Sequence, residues 1–239
     1  MTKKVLVTGA SKGIGKAIAK ELVCVGYDVY ICARTIDTLK NCANEIKAKD
    51  FFACDISNFD ECKKLKEKIG NIDILVNNAG AYVWAPVEKT QQNDIDALTK
   101  LNIVAPYNLI SLFTENMKQQ KWGRIINIGS ISGVVGEANA SLYSMTKSSL
   151  NGLTKALGLE LAEYGITINT INPGWVKTDL ADNAVDDSDF SEEEIVDMIP
   201  QRRFIEPIEI ANLVKYLASD EAKGITAQNI SLCAGLSAG

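Results

Sequence analysis

The chain has 239 residues, 46% of them hydrophobic and 23% charged, with a formal net charge of −5. That length and mixture suit one globular domain with a full core of its own, and the negative balance disfavours nucleic acid and anionic membrane as partners. Histidine is absent and the six cysteines contain no Cys-x-x-Cys pair, which excludes Ser-His-Asp triads, histidine acid–base chemistry and zinc-dependent alcohol oxidation, so no metal site is expected.

Short β-branched runs alternate with helical stretches along the whole chain. Strands are expected at Lys4–Thr8, Asp28–Ala33, Phe51–Cys54, Ile72–Asn77, Arg124–Gly129, Ile166–Ile171 and Gln228–Cys233. Helices are expected near 14–25, 37–48, 58–69, 93–120, 144–163 and 207–218. The strands are apolar nearly throughout, as parallel strands covered on both faces are. The alternation implies right-handed βαβ units and therefore an α/β fold: a single Rossmann-type domain over 1–239, a doubly wound seven-stranded parallel sheet with helices on both faces. One segment, 178–204, breaks the pattern. It carries Asp179, Asp182, Asp186, Asp187, Asp189, Glu192, Glu193, Glu194 and Asp197, then Arg202 and Arg203. It reads either as a solvated face or as a lid over a substrate cleft.

The first strand runs into Gly9-Ala10-Ser11-Lys12-Gly13-Ile14-Gly15, which opens a helix. Strand, glycine loop and helix in that order can cradle a pyrophosphate: the glycines allow a tight turn and a close approach, and the helix start offers free N–H groups. The spacing is Gly-x3-Gly-x-Gly, a variant of the commoner dinucleotide fingerprint. Where that fingerprint carries an acid after the second strand, this chain has Cys32-Ala33-Arg34. Arg34 with Lys12, and no carboxylate, favours a ribose 2′-phosphate and so NADP(H) over NAD; the plainer alternative is that both cations are solvated. Asp55, followed by Ile56, either accepts from the adenine amino group or caps the next helix.

Tyr143 and Lys147 stand four residues apart, on one face of an expected helix. The ammonium should lower the phenol's pKa and let it exchange a proton near neutral pH. Ser130 lies 13 residues earlier, just past a strand, where a hydroxyl could hold a substrate carbonyl.

These motifs, in this order, resemble the classical short-chain dehydrogenases/reductases over essentially the whole chain. Thr8-Gly9-x3-Gly13-x-Gly15 is similar to the family's cofactor motif, and Asn77-Asn78-Ala79-Gly80 to its strand-stabilising motif. Asn102, Ser130, Tyr143 and Lys147 match its catalytic tetrad, and Pro173-Gly174 its nicotinamide-flanking segment, with Val176 and Thr178 beside the carboxamide. The resemblance implies hydride transfer from NADPH to a carbonyl carbon, a proton from Tyr143, polarisation by Ser130, a ribose contact and a lowered Tyr143 pKa from Lys147, and a water relay supported by Asn102. It also implies a homotetramer, paired through helices near 103–120 and 144–163 and through the C-terminal strand.

Within the family, the stretches from Ala156 to Asn169 and from Thr226 to Leu236 look like 3-oxoacyl-[acyl-carrier-protein] reductases and aromatic polyketide ketoreductases. Tyr82, Trp84, Ser132, Val135, Trp175, Leu180 and Met198 are the expected substrate pocket, apolar and aromatic, or else ordinary core. The small-molecule substrate is thus a ketone or acyl thioester. An acyl carrier protein is a possible partner, which the acidic segment would oppose unless docking used Lys121 and Arg124. Oxidation of a cyclic or secondary alcohol is the alternative activity, and a non-catalytic NADP(H) sensor the alternative of another class. The short apolar run at the start suits no signal peptide, no run of 18 apolar residues is present, and the scattered cysteines read as free thiols, so a cytoplasmic location is expected.

Overall fold

The computed structural model describes residues 2–187 and 190–238; Asp189, and the side chains of Asp186 and Asp187, lie outside the described residues. Seven strands form one parallel sheet: β1 (Lys4–Thr8), β2 (Asp28–Ala33), β3 (Asp50–Ala53), β4 (Ile74–Asn77), β5 (Gly123–Ile128), β6 (Ile166–Pro173) and β7 (Gln228–Leu232). Their spatial order is β3-β2-β1-β4-β5-β6-β7. The helices are α1 (Gly13–Cys24), α2 (Ile36–Ile46), α3 (Phe59–Ile69), α4 (Gln92–Leu98), α5 (Ala105–Gln120), α6 (Ser132–Val135), α7 (Ser141–Leu161), α8 (Asp179–Asp187), α9 (Glu192–Met198) and α10 (Pro207–Leu217). Among the described residues no helix is long and apolar enough to cross a membrane, and all six cysteines are free of disulfides.

Strand alternation divides the core in two. Val5 and Val7 of β1 pack with Ile18 and Leu22 of α1 and with Ile210 and Val214 of α10. Leu6, between them, faces the other way onto Leu65 of α3 and Leu109 and Phe113 of α5. Burial of both faces explains the apolar runs of β1, β2 and β4. The strand order reverses at β1, which has β2 on one side and β4 on the other. Crossovers leave in opposite directions there, so a crevice opens beyond the C-terminal strand ends.

Local chemistry sets the helix ends. The Asn58 side chain accepts from the backbone N–H groups of Asp60 and Glu61 and so starts α3. Asp60 and Glu61 in the first turn, and Lys66 and Lys68 in the last, complement its dipole. Asp55 therefore does not cap this helix. Its carboxylate accepts from the Ser57 amide at 3.0 Å and the Ser57 hydroxyl at 2.8 Å, a local turn that precedes the cap.

The stretch expected as one helix over 93–120 is divided. α4 ends at Leu98, Thr99–Val104 form a wide π-type turn, and α5 begins at Ala105. Pro106 supplies the reason: it has no amide hydrogen to return to the carbonyl four residues back, that of Asn102, and the spiral loosens there. Arg124, expected as a docking cation, is buried instead. Its guanidinium donates to the carbonyls of Gly123, Gly165 and Ser219, meets Asp220 at 3.4 Å and lies 4.3 Å from the Trp122 ring centroid. With its donors turned inward, it offers nothing to an incoming protein; Lys121 stays exposed.

Candidate active site

The loops after β1 and β4 are stitched together at the crevice. Thr8 Oγ1 accepts from the backbone N–H groups of Asn78 at 3.0 Å and Ala79 at 3.1 Å. The Asn78 side-chain amide donates back to the carbonyls of Thr8 at 2.9 Å and Gly9 at 3.1 Å. Gly9 is left-handed, with φ +64°, and a Cβ there would lie 2.7 Å from the Ala79 backbone. Gly9→Ala is expected to destabilise the fold by about 2–4 kcal/mol, since left-handed strain and overpacking add; urea denaturation checks this. Lys12 stands at the N-cap of α1 without a side-chain cap, so the first-turn amides are left for another acceptor.

The rim beyond β2 is cationic. Arg34 is exposed, with the hydroxyl residues Thr35 and Thr38 beside it on the cleft wall. Lys12 pairs with Asp179 of α8 at 2.6 Å, linking the glycine loop to the acid-rich segment.

Catalytic candidates come from three elements. Ser130 follows β5 and takes its place partly from Asn172 of β6, whose Oδ1 accepts from the Ser130 amide at 3.3 Å. Tyr143 and Lys147 project from α7. That helix is tied to the sheet by a buried polar chain: Asn77 donates to Asn127 at 2.9 Å, Asn127 to Thr154 at 3.2 Å, and Thr154 meets Thr170 at 2.6 Å. Such a chain fixes the helix more sharply than apolar contact alone.

Lys147 Nζ lies 5.7 Å from the Tyr143 ring centroid and donates to the Ile128 carbonyl at 2.9 Å. The expected lowering of the tyrosine pKa is not what this geometry produces. Burial pushes the Tyr143 hydroxyl up to about 12, and a hydrogen bond with Ser130 opposes that only in part; the Glu137 charge adds to the rise. Burial acts in the opposite sense on the ammonium and brings Lys147 down to about 8.

Asn102 is buried in the wide turn. Its Oδ1 accepts from the Ala81 amide at 3.0 Å, and its Nδ2 donates to the Ala81 carbonyl at 2.9 Å and to Thr146 Oγ1 at 3.1 Å. It thus clamps the loop after β4 against α7. Gly80 leaves room for this: a Cβ there would lie 3.2 Å from both Asn102 Oδ1 and Lys147 Nζ.

One cleft of about 890 Å³ runs along the strand ends, and every expected site residue except Asn102 lines it. Ser11, Ile14, Arg34, Asp55 and Ile56 lie on the walls toward the glycine loop and the ends of β2 and β3; Pro173, Gly174, Val176 and Thr178 stand at the end of β6 and just beyond it. Tyr82, Trp84, Ser132, Val135, Trp175, Leu180 and Met198 line the same cleft, with Tyr82 edge-on to Tyr143 at 4.9 Å and Trp175 stacked on Phe204 at 5.7 Å. Among the lining residues that were not expected, two groups bear on the site. Phe190, Ile195 and Ala184 come from the acid-rich segment, whose charges hide its apolar positions in the sequence. Glu137 comes from the loop after α6, where no motif marks it.

The short chain dehydrogenase family model matches residues 3–189. The chain belongs to this family. It is an oxidoreductase, and its relatives span its full length. The 3-oxoacyl-[acyl-carrier-protein] reductase FabG of Staphylococcus aureus is 38% identical over 245 aligned positions, covering 99% of this chain and 98% of that protein. The same-named enzyme of Rickettsia felis is 37% identical, covering 98% and 96%. Among solved structures, a single-substitution variant of actinorhodin polyketide ketoreductase with NADPH superposes with a TM-score of 0.93 at 33% identity, covering 98% of this chain and 97% of that one. YwfH, an NADPH-dependent reductase involved in bacilysin biosynthesis, superposes with a TM-score of 0.93 at 30% identity over 100% of both chains. The solved structures match its fold over nearly the whole chain.

Proposed function

We propose that this oxidoreductase uses NADPH to reduce a ketone to a secondary alcohol, and that the ketone is the 3-oxo group of an acyl thioester. The observation that carries the reading is the convergence of Ser130, Tyr143 and Lys147 in the same cleft as the glycine loop and the cationic rim. The residues fit the cofactor. The uncapped start of α1 and the left-handed Gly9 suit a pyrophosphate, Arg34 and Lys12 suit a 2′-phosphate, and no carboxylate ends β2. Asp55 and Ile56 would hold the adenine, Asn78, Ala79 and Gly80 the adjoining ribose, and Pro173, Gly174, Val176 and Thr178 the nicotinamide. When bound, NADPH supplies the hydride.

Tyr143 gives its phenolic proton to the carbonyl oxygen, and the Ser130 hydroxyl donates to the same oxygen as charge develops on it. Lys147 holds the ribose hydroxyls with its ammonium. Asn102 keeps Ala81 and Thr146 in place behind it. Near neutral pH the buried Tyr143 phenol holds its proton, the form that can be given to a carbonyl oxygen. Leu180 of α8 and Met198 of α9 face the cleft while about half exposed, as a substrate lid would. Tyr107 and Leu159, at 57% and 83% exposure, support pairing of α5 and α7 with other copies in a tetramer. A cytoplasmic location and a carrier protein as thioester donor belong to the same reading.

Loss of reduced-nicotinamide absorbance with coenzyme A-bound and carrier-bound acetoacetyl thioesters tests it. Reduction is expected with NADPH, and kcat/KM should hold below pH 8 and fall as pH rises through about 8, where Lys147 loses its charge. Turnover only of secondary alcohols with NADP+ would establish the oxidative alternative, and binding without any turnover would establish a sensor.

A further inference from the structure

At the substrate end of the cleft the reduction leaves Glu137 without a task. Glu137 is half-buried, on the loop between α6 and α7, and both its oxygens are held by hydroxyls. Ser132 Oγ donates to Oε2 at 2.6 Å and the Tyr82 hydroxyl donates to Oε1 at 2.8 Å. Ser132 Oγ in turn accepts from Ser130 Oγ at 3.1 Å, and the Tyr82 ring lies edge-on to Tyr143. The carboxylate therefore stands one residue away from each of the two groups that meet the substrate oxygen.

Among the described residues the charged side chains lining the cleft are Lys12, Arg34, Asp55, Glu137, Lys147 and Asp179. Lys12 pairs with Asp179 at the glycine loop, and Arg34 and Asp55 lie just past the ends of β2 and β3. Lys147 is directed to the Ile128 carbonyl. At the substrate end, among the described residues, Glu137 is held by the neutral hydroxyls of Ser132 and Tyr82. A carboxylate offers about four acceptor positions, so two hydroxyls leave capacity for a donor on the substrate. An anion brought beside it, away from bulk water, is repelled.

We propose that Glu137 is a specificity-determining residue that sets the charge of the substrate: the cleft selects ketones carrying an amine or a hydroxyl beyond the carbonyl and turns away ketones carrying a carboxylate there. The inference rests on the ketone-reductase reading and narrows its substrate class. A 3-oxoacyl thioester, neutral at that position, is admitted; the free 3-oxo acid is not.

The test compares kcat/KM with NADPH for 4-aminobutan-2-one, 4-hydroxybutan-2-one and acetoacetate, which differ chiefly in the charge of one terminal group. The wild type should rank them amine, alcohol, acid. The amine-to-acid ratio should fall at least about tenfold in Glu137→Gln and invert in Glu137→Lys, chiefly through KM. Because the readout is a ratio within one preparation, partial loss of folded enzyme does not move it. A ratio within twofold of unity in the wild type, or one unchanged in both variants, overturns this inference while leaving the reductase reading intact. Failure of the wild type to reduce any of the ketones or the acetoacetyl thioesters overturns both.

Discussion

Tyr143→Phe is expected to lower kcat for ketone reduction about a thousandfold, within the range a positioned general acid contributes. The substitution removes one oxygen and little else. The ring is only 8% exposed and keeps its edge-on contact with Tyr82, so the pocket retains its shape. The Ser130 hydroxyl loses a partner but keeps Ser132, whose amide also donates to it at 3.2 Å. The cost in stability should be about 1 kcal/mol. NADPH affinity, read by fluorescence titration, should stay within about twofold, because the residues proposed for the pyrophosphate and 2′-phosphate, Gly9, Lys12 and Arg34, are untouched. Retention of more than about a tenth of wild-type kcat would show that the proton comes from elsewhere, and the whole assignment of the tetrad would fall with it.

Arg34→Asp carries the second large effect. It should lower the ratio of kcat/KM with NADPH to kcat/KM with NADH about a hundredfold. Two changes act together: a guanidinium that can pair with a phosphate dianion disappears, and a carboxylate that repels the phosphate but accepts from a ribose 2′-hydroxyl takes its place. The side chain is exposed on the rim, so the variant's stability should stay within about 0.5 kcal/mol of the wild type. A ratio that stays within threefold of the starting value would mean that the rim cations are solvated bystanders, and the case for NADPH over NADH would lose its local basis.

The parts of the molecule legible in the sequence are those where one physical rule acts alone. The sheet is readable because most of its strands are rich in β-branched apolar residues, and β1, β2, β6 and β7 start where expected. The glycine loop is readable because Gly9 needs a left-handed backbone and a close approach to Ala79. Boundaries drift where a side chain intervenes. Asp73, whose side chain accepts from the Lys4 amide at 2.8 Å, precedes β4, which begins at Ile74 rather than Ile72.

Properties that depend on tertiary surroundings are not readable. A lysine four residues away suggests a lowered tyrosine pKa, yet the pKa rises because burial outweighs a cation directed elsewhere. Arg124 has the look of a surface cation, but Trp122 and the carbonyls of Gly165 and Ser219 enclose it, and all of these approach from other elements or from beside the strand. Glu137 sits in no motif; its place in the site depends on Tyr82 and Ser132, the first of them 55 residues away in the chain.

An α-helix turns about 100° per residue, so a spiral that briefly takes a wider step leaves its later turns rotated relative to its earlier ones. Thr99–Val104 is such a step, and it sets the angular phase between α4 and α5. The length of this segment consequently carries information that its composition does not. Exchanging side chains there keeps the phase. Removing one residue there would shift the phase of α5, swing the amide of Asn102 away from Ala81 and Thr146, and strand those groups in the interior.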